Sequence, residues 1–272
     1  MSINEDFFNG NIESLFLDIY NEQFSEAPSE SITIADPLFN TIIDQTKKIL
    51  GEMVEFKELM MMYTCAMKAV KAKIDILNTE YNVRYQRNPI KFIDTRLKRI
   101  SSLVEKMIRN NIAFTIENIE EHINDIAGVR VICPYADDIY TTAEALMRQN
   151  DILLVSKKDY IANPKPNGYR SMHLIINVPV FFANQMKRVK VEVQIRTIAM
   201  DFWASLEHQL KYKGDTADGD KIADELRECA EIIANTDSRM LGIRKRLEAS
   251  RREQTEEDVL FEKLRRMDIP IE

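Results

Sequence analysis

Between Met172 and Arg196 apolar and polar residues alternate at period two, a pattern that admits little besides two paired strands. Met172, Leu174, Ile176 and Val178 take one face of the first strand. After a turn near Asn184, Val191, Val193 and Ile195 take the same face of the second, which leaves Glu192, Gln194 and Arg196 in a row on the other. Such a row is ordinary on a solvated sheet, so its meaning depends on whether it looks into water or into a site. The segment leading in, Lys158 to His173, holds a Pro164-Lys165-Pro166-Asn167-Gly168 turn that reverses the backbone. Around that turn stand Lys158, Tyr169, Arg170 and His173, a composition suited to an anionic ligand that carries a ring.

The remaining pattern supplies a sheet for these strands to join. Asn124 to Gly128 leads into a strand, Val129 to Cys133, ended by Pro134. Ala136 to Gln149 reads as a helix, Ile152 to Val155 as a strand, and Thr197 to Lys213, with the only tryptophan, as another helix. Strands interleaved with helices predict an α/β fold, and the hairpin-like pair makes its sheet mixed. Met53 to Tyr81 lacks Pro and Gly and carries apolar residues at helical spacing (Met60, Met61, Tyr63, Met67, Val70, Ile74, Leu77), so one long helix is expected. Its Leu59-Met60-Met61-Met62 run suits core filling better than a partner surface. Lys221 to Met267 is helical, charged and striped with Leu and Ile, as in an oligomer-forming or bundle-forming tail. An aromatic patch (Phe7, Phe8, Phe16, Tyr20) and a linker-like Ser25 to Ser31 precede it all. The expected division is an N-terminal extension, 1–50, a central domain, 51–215, and a C-terminal helical segment, 216–272.

Two sequence features point to phosphate chemistry. Asp94 to Arg99 runs toward a helix whose start is marked by the capping-box pattern Ser102-Leu103-Val104-Glu105, so Arg96, Lys98, Arg99 and Lys106 crowd a helix N-terminus. Cations are unfavourable there unless an anion is bound, although a solvated basic face is the plainer alternative. Asp125 and Glu192 each precede or interrupt an apolar strand. Singly each reads most simply as solvent-facing, but together they could hold Mg2+, which prefers oxygen ligands and bridges to substrate phosphates. With Lys98, Lys106, Arg130, Lys158, Lys165 and a flat Tyr169, the set describes two nucleotides and a metal. No P-loop and no GxGxxG occurs, so neither common phosphate cradle is in use.

Composition narrows the class. A net charge of -7 argues against a protein that coats nucleic acid, while leaving regulation by RNA open. No run of eighteen apolar residues occurs and the MSINEDFFNG start is acidic, so a cytoplasmic protein without a membrane span is expected. Cys65, Cys133 and Cys229 are far apart and form no CxxC pair.

DTRLKRISSLVEK, NDIAGVRVIC, KDYIANPKPNGYRSMH and VEVQIRTIAMDFWASLEHQLKYK, in this order, resemble the synthetase domain of the RelA/SpoT family, and the AMDFWASLEH helix is most similar to the RelP-type small alarmone synthetases. The resemblance implies a nucleotidyltransferase-like mixed sheet with long N- and C-terminal helices. It implies transfer of the β,γ-pyrophosphoryl group of ATP to the 3'-hydroxyl of GDP or GTP, giving guanosine tetra- or pentaphosphate and AMP. Residue by residue, it implies that Arg96 and Arg130 sandwich adenine and that Lys98, Ser102 and Lys106 hold the ATP phosphates. Asp125 and Glu192 would hold Mg2+, Glu192 would also take the proton of the 3'-hydroxyl, and Gln194 would brace it. Tyr169 would stack on guanine, Asp201 would read it in place of the asparagine of some relatives, and Lys158, Lys165 and His173 would meet the acceptor phosphates. The small relatives are tetramers, so a homo-oligomer is implied. None of the three histidines, His122, His173 and His208, is followed by Asp, so the family's hydrolase motif is absent and synthesis without degradation is expected. Two other readings stand beside this one: a non-catalytic sensor of guanine nucleotides or RNA on the same fold, and pyrophosphorylation of tRNA 3' ends.

Overall fold

The computed structural model describes residues 37–85, 87–212 and 219–251. The N-terminal aromatic patch, Ser25 to Ser31, most of the Gly214 to Gly219 break and the side chain of His208 lie outside them. The chain divides into two compact units, Met1–Leu59 and Met60–Glu272. The described part of the first is helix. That helix, α1 (Pro37–Tyr85), is longer than the Met53 to Tyr81 expected, because no Pro or Gly other than Gly51 interrupts it after its first residue. Within the second unit its buried face runs through Tyr63, Ala66, Val70, Ile74 and Leu77. The Leu59 to Met62 run follows the core-filling expectation in part: Leu59 is buried and Met60 and Met62 are half-buried, while Met61 is 48% exposed.

The second unit continues with β1 (Phe92–Leu97), α2 (Ile100–Arg109), α3 (Ile116–His122), β2 (Ala127–Cys133), α4 (Ala136–Met147), β3 (Leu153–Asp159), β4 (Met172–Phe181), β5 (Met186–Thr197), α5 (Ile198–Tyr212) and α6 (Gly219–Arg251). The five strands form one mixed sheet in the order β1-β2-β5-β4-β3, with β2 and β5 parallel and the other pairs antiparallel. The predicted alternation is realised: Met172, Leu174, Ile176, Val178, Val191, Val193 and Ile195 are all buried. Glu192 and Gln194 are half-buried on the opposite face.

One expectation fails in an informative way. α2 starts at Ile100, not at a Ser102 cap, and Arg99 in the cap position is extended and makes no side-chain cap bond. The cause is the sheet: β1 pairs with β2 as far as Leu97, and the Lys98 amide donates to the Ile126 carbonyl, so the helix begins as soon as the chain leaves the ladder. Arg96 is therefore a strand residue. Lys106 lies in the last helical turn, where a cation is favourable, so the conflict inferred at the N-terminus largely dissolves.

α6 is tied to the start of α4. Arg244 pairs with Asp137 and lies 4.6 Å over the Tyr135 ring. Its neighbour Asp138 is fully buried and pairs with Arg87. Burial pushes the Asp138 carboxyl up to about 6, against the opposing pull of Arg87.

Candidate active site

Strand register decides where the polar row looks. Gly128 of β2 is paired with Glu192 and Arg130 with Gln194, while His173 of β4 lies on the other side of Gln194. β1 places Arg96 opposite Gly128 and Asp94 opposite Arg130. Residues paired across strands share a face, so these side chains rise from one side of the sheet. Over them lies a cleft lined by Asp94, Arg96, Arg130, Glu192 and Gln194 around Gly128. The Arg96 side chain lies across Gly128, 3.5 Å from where a Cβ would stand. Arg130 Nε is buried there without a hydrogen-bond partner among the described residues.

Glu192 stands at the end of two chains of hydrogen bonds that both begin at Arg196. In one, Arg196 Nη2 donates to Gln194 Oε1 at 2.7 Å and Gln194 Nε2 donates to Glu192 Oε2 at 2.8 Å. In the other, Arg196 Nη2 donates to the Tyr169 hydroxyl at 2.6 Å; that oxygen lies 2.8 Å from His173 Nε2, and His173 Nδ1 lies 3.1 Å from Glu192 Oε1. A neutral His173 protonated on Nδ1 satisfies every partner, with Tyr169 donating to Nε2 and Nδ1 donating to the carboxylate. Burial pushes the Glu192 carboxyl up, but the His173 and Gln194 hydrogen bonds outweigh it and hold the group below the usual range. Glu192 is therefore a carboxylate at neutral pH. The nearby charge of Asp125 acts on it in the upward direction, so the two acids feel one another.

Asp125, in the turn before β2, is bridged by Lys98 at 2.8 Å and Lys106 at 2.8 Å. Burial favours its neutral form, but the two ammonium groups prevail and its pKa is lowered. Ser102 precedes Lys106 by one turn of α2, on the same helical face. Among the described residues no group of three or more His, Cys, Asp and Glu could hold a metal ion. The carboxylates of Asp125 and Glu192 are oxygen donors of the kind Mg2+ takes when substrate phosphates complete its shell, so their chemistry fits that ion.

The entry loop brings Tyr169 to the site. Gly168 N donates to the Lys165 carbonyl at 2.8 Å, closing the predicted turn, and Gly168 takes a φ of 86° that disfavours any side chain. Lys165 Nζ lies 4.7 Å above the Tyr160 ring and 4.8 Å above the Tyr169 ring. Lys158 is exposed on β3, paired with His173. Asp201, in the first turn of α5, accepts from Arg196 Nη1 at 3.2 Å and lies 3.5 Å from Arg130 Nη1. The sheet face thus gathers Arg96, Arg130, Glu192, Gln194, His173, Tyr169 and Asp201, with Asp125, Lys98 and Lys106 coupled to it. Sequence reasoning missed Arg196 as the hub of this network, although its place in the polar row was visible, and Tyr160, which meets His173 edge-on at 5.3 Å.

Residues 95–217 match the family described as a region found in RelA / SpoT proteins. GTP pyrophosphokinase YwaC of Bacillus subtilis is 44% identical over 208 residues, which cover 76% of this chain and 98% of that protein. The chain belongs to the RelA/SpoT family. GTP pyrophosphokinase YjbM of Bacillus subtilis, a second relative, is 36% identical over 70% of this chain and 89% of its own length. Among solved structures, small alarmone synthetase 2 of Bacillus subtilis matches with a TM-score of 0.64 and 45% identity, over 71% of this chain and 99% of that one. Small alarmone synthetase 1 of the same organism, bound to its product pppGpp, matches with a TM-score of 0.65 and 35% identity, over 71% of this chain and 98% of that one. As a RelA/SpoT chain, it carries the site residues from Arg96 to Asp201 inside the matched region, while Asp94 and α1 lie outside it.

Proposed function

We propose that this chain synthesises guanosine tetra- and pentaphosphate by transferring the β,γ-pyrophosphoryl group of ATP to the 3'-hydroxyl of GDP or GTP. The observation that carries this reading is the convergence on an ionised Glu192 of two hydrogen-bond chains, between a cleft flanked by arginines and a loop that presents a tyrosine. Arg96 and Arg130 hold adenine between planar guanidinium groups, and Lys98, Ser102 and Lys106 take the ATP phosphates. Tyr169 receives the acceptor guanine, with Asp201 at its edge and Lys158, Lys165 and His173 toward its phosphates. Glu192 accepts the 3'-hydroxyl proton as the 3'-oxygen bonds to the β-phosphorus and the bond from that phosphorus to the α,β-bridging oxygen breaks, releasing AMP. Gln194 holds the carboxylate in line for that transfer. Mg2+, held by Asp125 and Glu192, supplies charge stabilisation to the phosphoryl oxygens when bound.

Most of these groups are already paired with another. Lys98 and Lys106 hold Asp125, His173 holds Glu192, and Lys165 covers the Tyr169 ring. Substrate binding is accordingly an exchange of partners: ATP phosphates draw the two lysines away and free the Asp125 carboxylate. Domain division follows the same reading, with residues 51–215 as the synthetase domain, 1–50 as an extension and 216–272 as a helical oligomerisation segment. The exposed stripe Ile198, Phe202, Leu206 and Leu210 on α5, spaced by four, supports a homo-oligomer, with a tetramer the size that family resemblance implies. No described helix is long and apolar enough to cross a membrane, in keeping with work in the cytoplasm. Incubation with ATP, Mg2+ and either GDP or GTP, followed by nucleotide separation, is expected to yield AMP and a 3'-pyrophosphorylated guanosine in equal amounts. ADP in place of AMP, or no guanosine product, would contradict it.

A further inference from the structure

The loop that carries Tyr169 is not held by the sheet alone; its turn is seated on the C-terminal helix. A Cβ built at Gly168 would lie 2.5 Å from the Ala230 Cβ and 3.5 Å from the Arg227 Cα, so loop backbone and helix are in direct contact. Ala230 is 4% exposed while Cys229 and Glu231 on either side are exposed, as for a single small residue that receives a neighbour. Arg170 clasps the junction: its Nη1 donates to the Gly168 carbonyl at 3.2 Å and to the Ala230 carbonyl at 3.4 Å. Two further ties fix α6 beside this point. Trp203 Nε1 donates to the Leu226 carbonyl, one turn before Ala230, at 2.8 Å, and Thr197 Oγ1 at the end of β5 lies 2.5 Å from Asp237 Oδ2. Burial raises the Asp237 carboxyl above its ordinary value.

Tyr169 follows Gly168 directly, so the position of α6 at Ala230 sets where the aromatic ring stands over the sheet. We infer that Ala230, with Arg170 as its clasp, is a positioning residue for the acceptor nucleotide: the C-terminal helix forms the back wall of the acceptor base pocket. Neither side chain touches the reacting atoms, and the donor cleft around Arg96 and Arg130 is lined from β1, β2 and β5 without α6. The inference rests on the reading above that Tyr169 receives the acceptor base.

The test is steady-state kinetics of the full chain with Ala230→Leu and Ala230→Gly, with ATP-analogue binding measured alongside. Ala230→Leu pushes the turn off the helix, and the KM for GDP or GTP is expected to rise about tenfold, within what loss of one base–aromatic stack removes. The dissociation constant for the analogue stays within about twofold, since an unchanged donor cleft leaves its binding free energy unchanged. Ala230→Gly, which keeps the small contact, retains the wild-type acceptor KM. If Ala230→Leu does not fold, Arg170→Gln removes the clasp without adding bulk, and the same rise in acceptor KM is expected. An acceptor KM unchanged in a folded Ala230→Leu or Arg170→Gln chain overturns the inference, as does an equal loss of donor and acceptor affinity, the mark of a general structural defect. Wild-type chain that makes product separates either result from failure of the functional assignment itself.

Discussion

Glu192→Gln is expected to lower turnover by about 10³-fold or more, because removal of a general base costs up to about 10⁴-fold and the metal loses a charged ligand as well. The substitution is nearly isosteric, so both nucleotides still bind. What changes is local. Oε2 now accepts from Gln194 and Oε1 lies beside His173 Nδ1, and a glutamine can accept at only one of those positions while its amide nitrogen opposes a donor at the other. Loss of that one hydrogen bond costs about 1 kcal/mol of stability, too little to unfold the chain. Single-turnover product formation together with calorimetric titration of ATP analogue and GDP separates chemistry from binding. Turnover within about tenfold of wild type would remove Glu192 from the proton-transfer role, since a general base contributes at least about a hundredfold.

Asp125→Asn is expected to behave differently from a simple loss of ligand. Turnover falls by about 10²-fold or more, in line with loss of a charged group that holds the catalytic ion. ATP offered without divalent metal, however, binds more tightly than to wild type, by about tenfold, or roughly 1.4 kcal/mol. The reason is the pair of 2.8 Å ion pairs from Lys98 and Lys106 to Asp125, which the wild-type chain must give up before those lysines reach a phosphate. In the variant the lysines start free. Titration of ATP in the presence of a chelator checks this, and weaker metal-free binding in the variant would contradict the exchange of partners.

The reach of the sequence differs from element to element. Period-two alternation located β4 and β5 and told their buried faces from their polar ones, because one-sided burial of a strand leaves its mark on every second residue. The acids and the tyrosine were legible for the same reason, as polar residues at strand positions and at a turn. The start of α2 was not, because the capping pattern at Ser102 is local while the boundary is set by pairing with a strand thirty residues away. Arg196 was visible in the polar row, yet its role was hidden: four partners, Tyr169, Ser171, Gln194 and Asp201, converge on it from two elements and a loop. The contact of Gly168 with Ala230 was equally out of reach, since neither glycine nor alanine carries chemistry and only the fold brings them together.

On the proposed reading, Asp125 and Glu192 share one cation, and nucleotide binding releases Asp125 to it. A structure of the Glu192 wild-type chain with a non-hydrolysable ATP analogue and Mn2+, located by its anomalous signal, tests this most directly. One ion is expected on the analogue's phosphates, ligated by both carboxylates, with Lys98 and Lys106 turned from Asp125 to phosphate oxygens. Asp125 still bridged by both lysines, with the ion elsewhere, would contradict it.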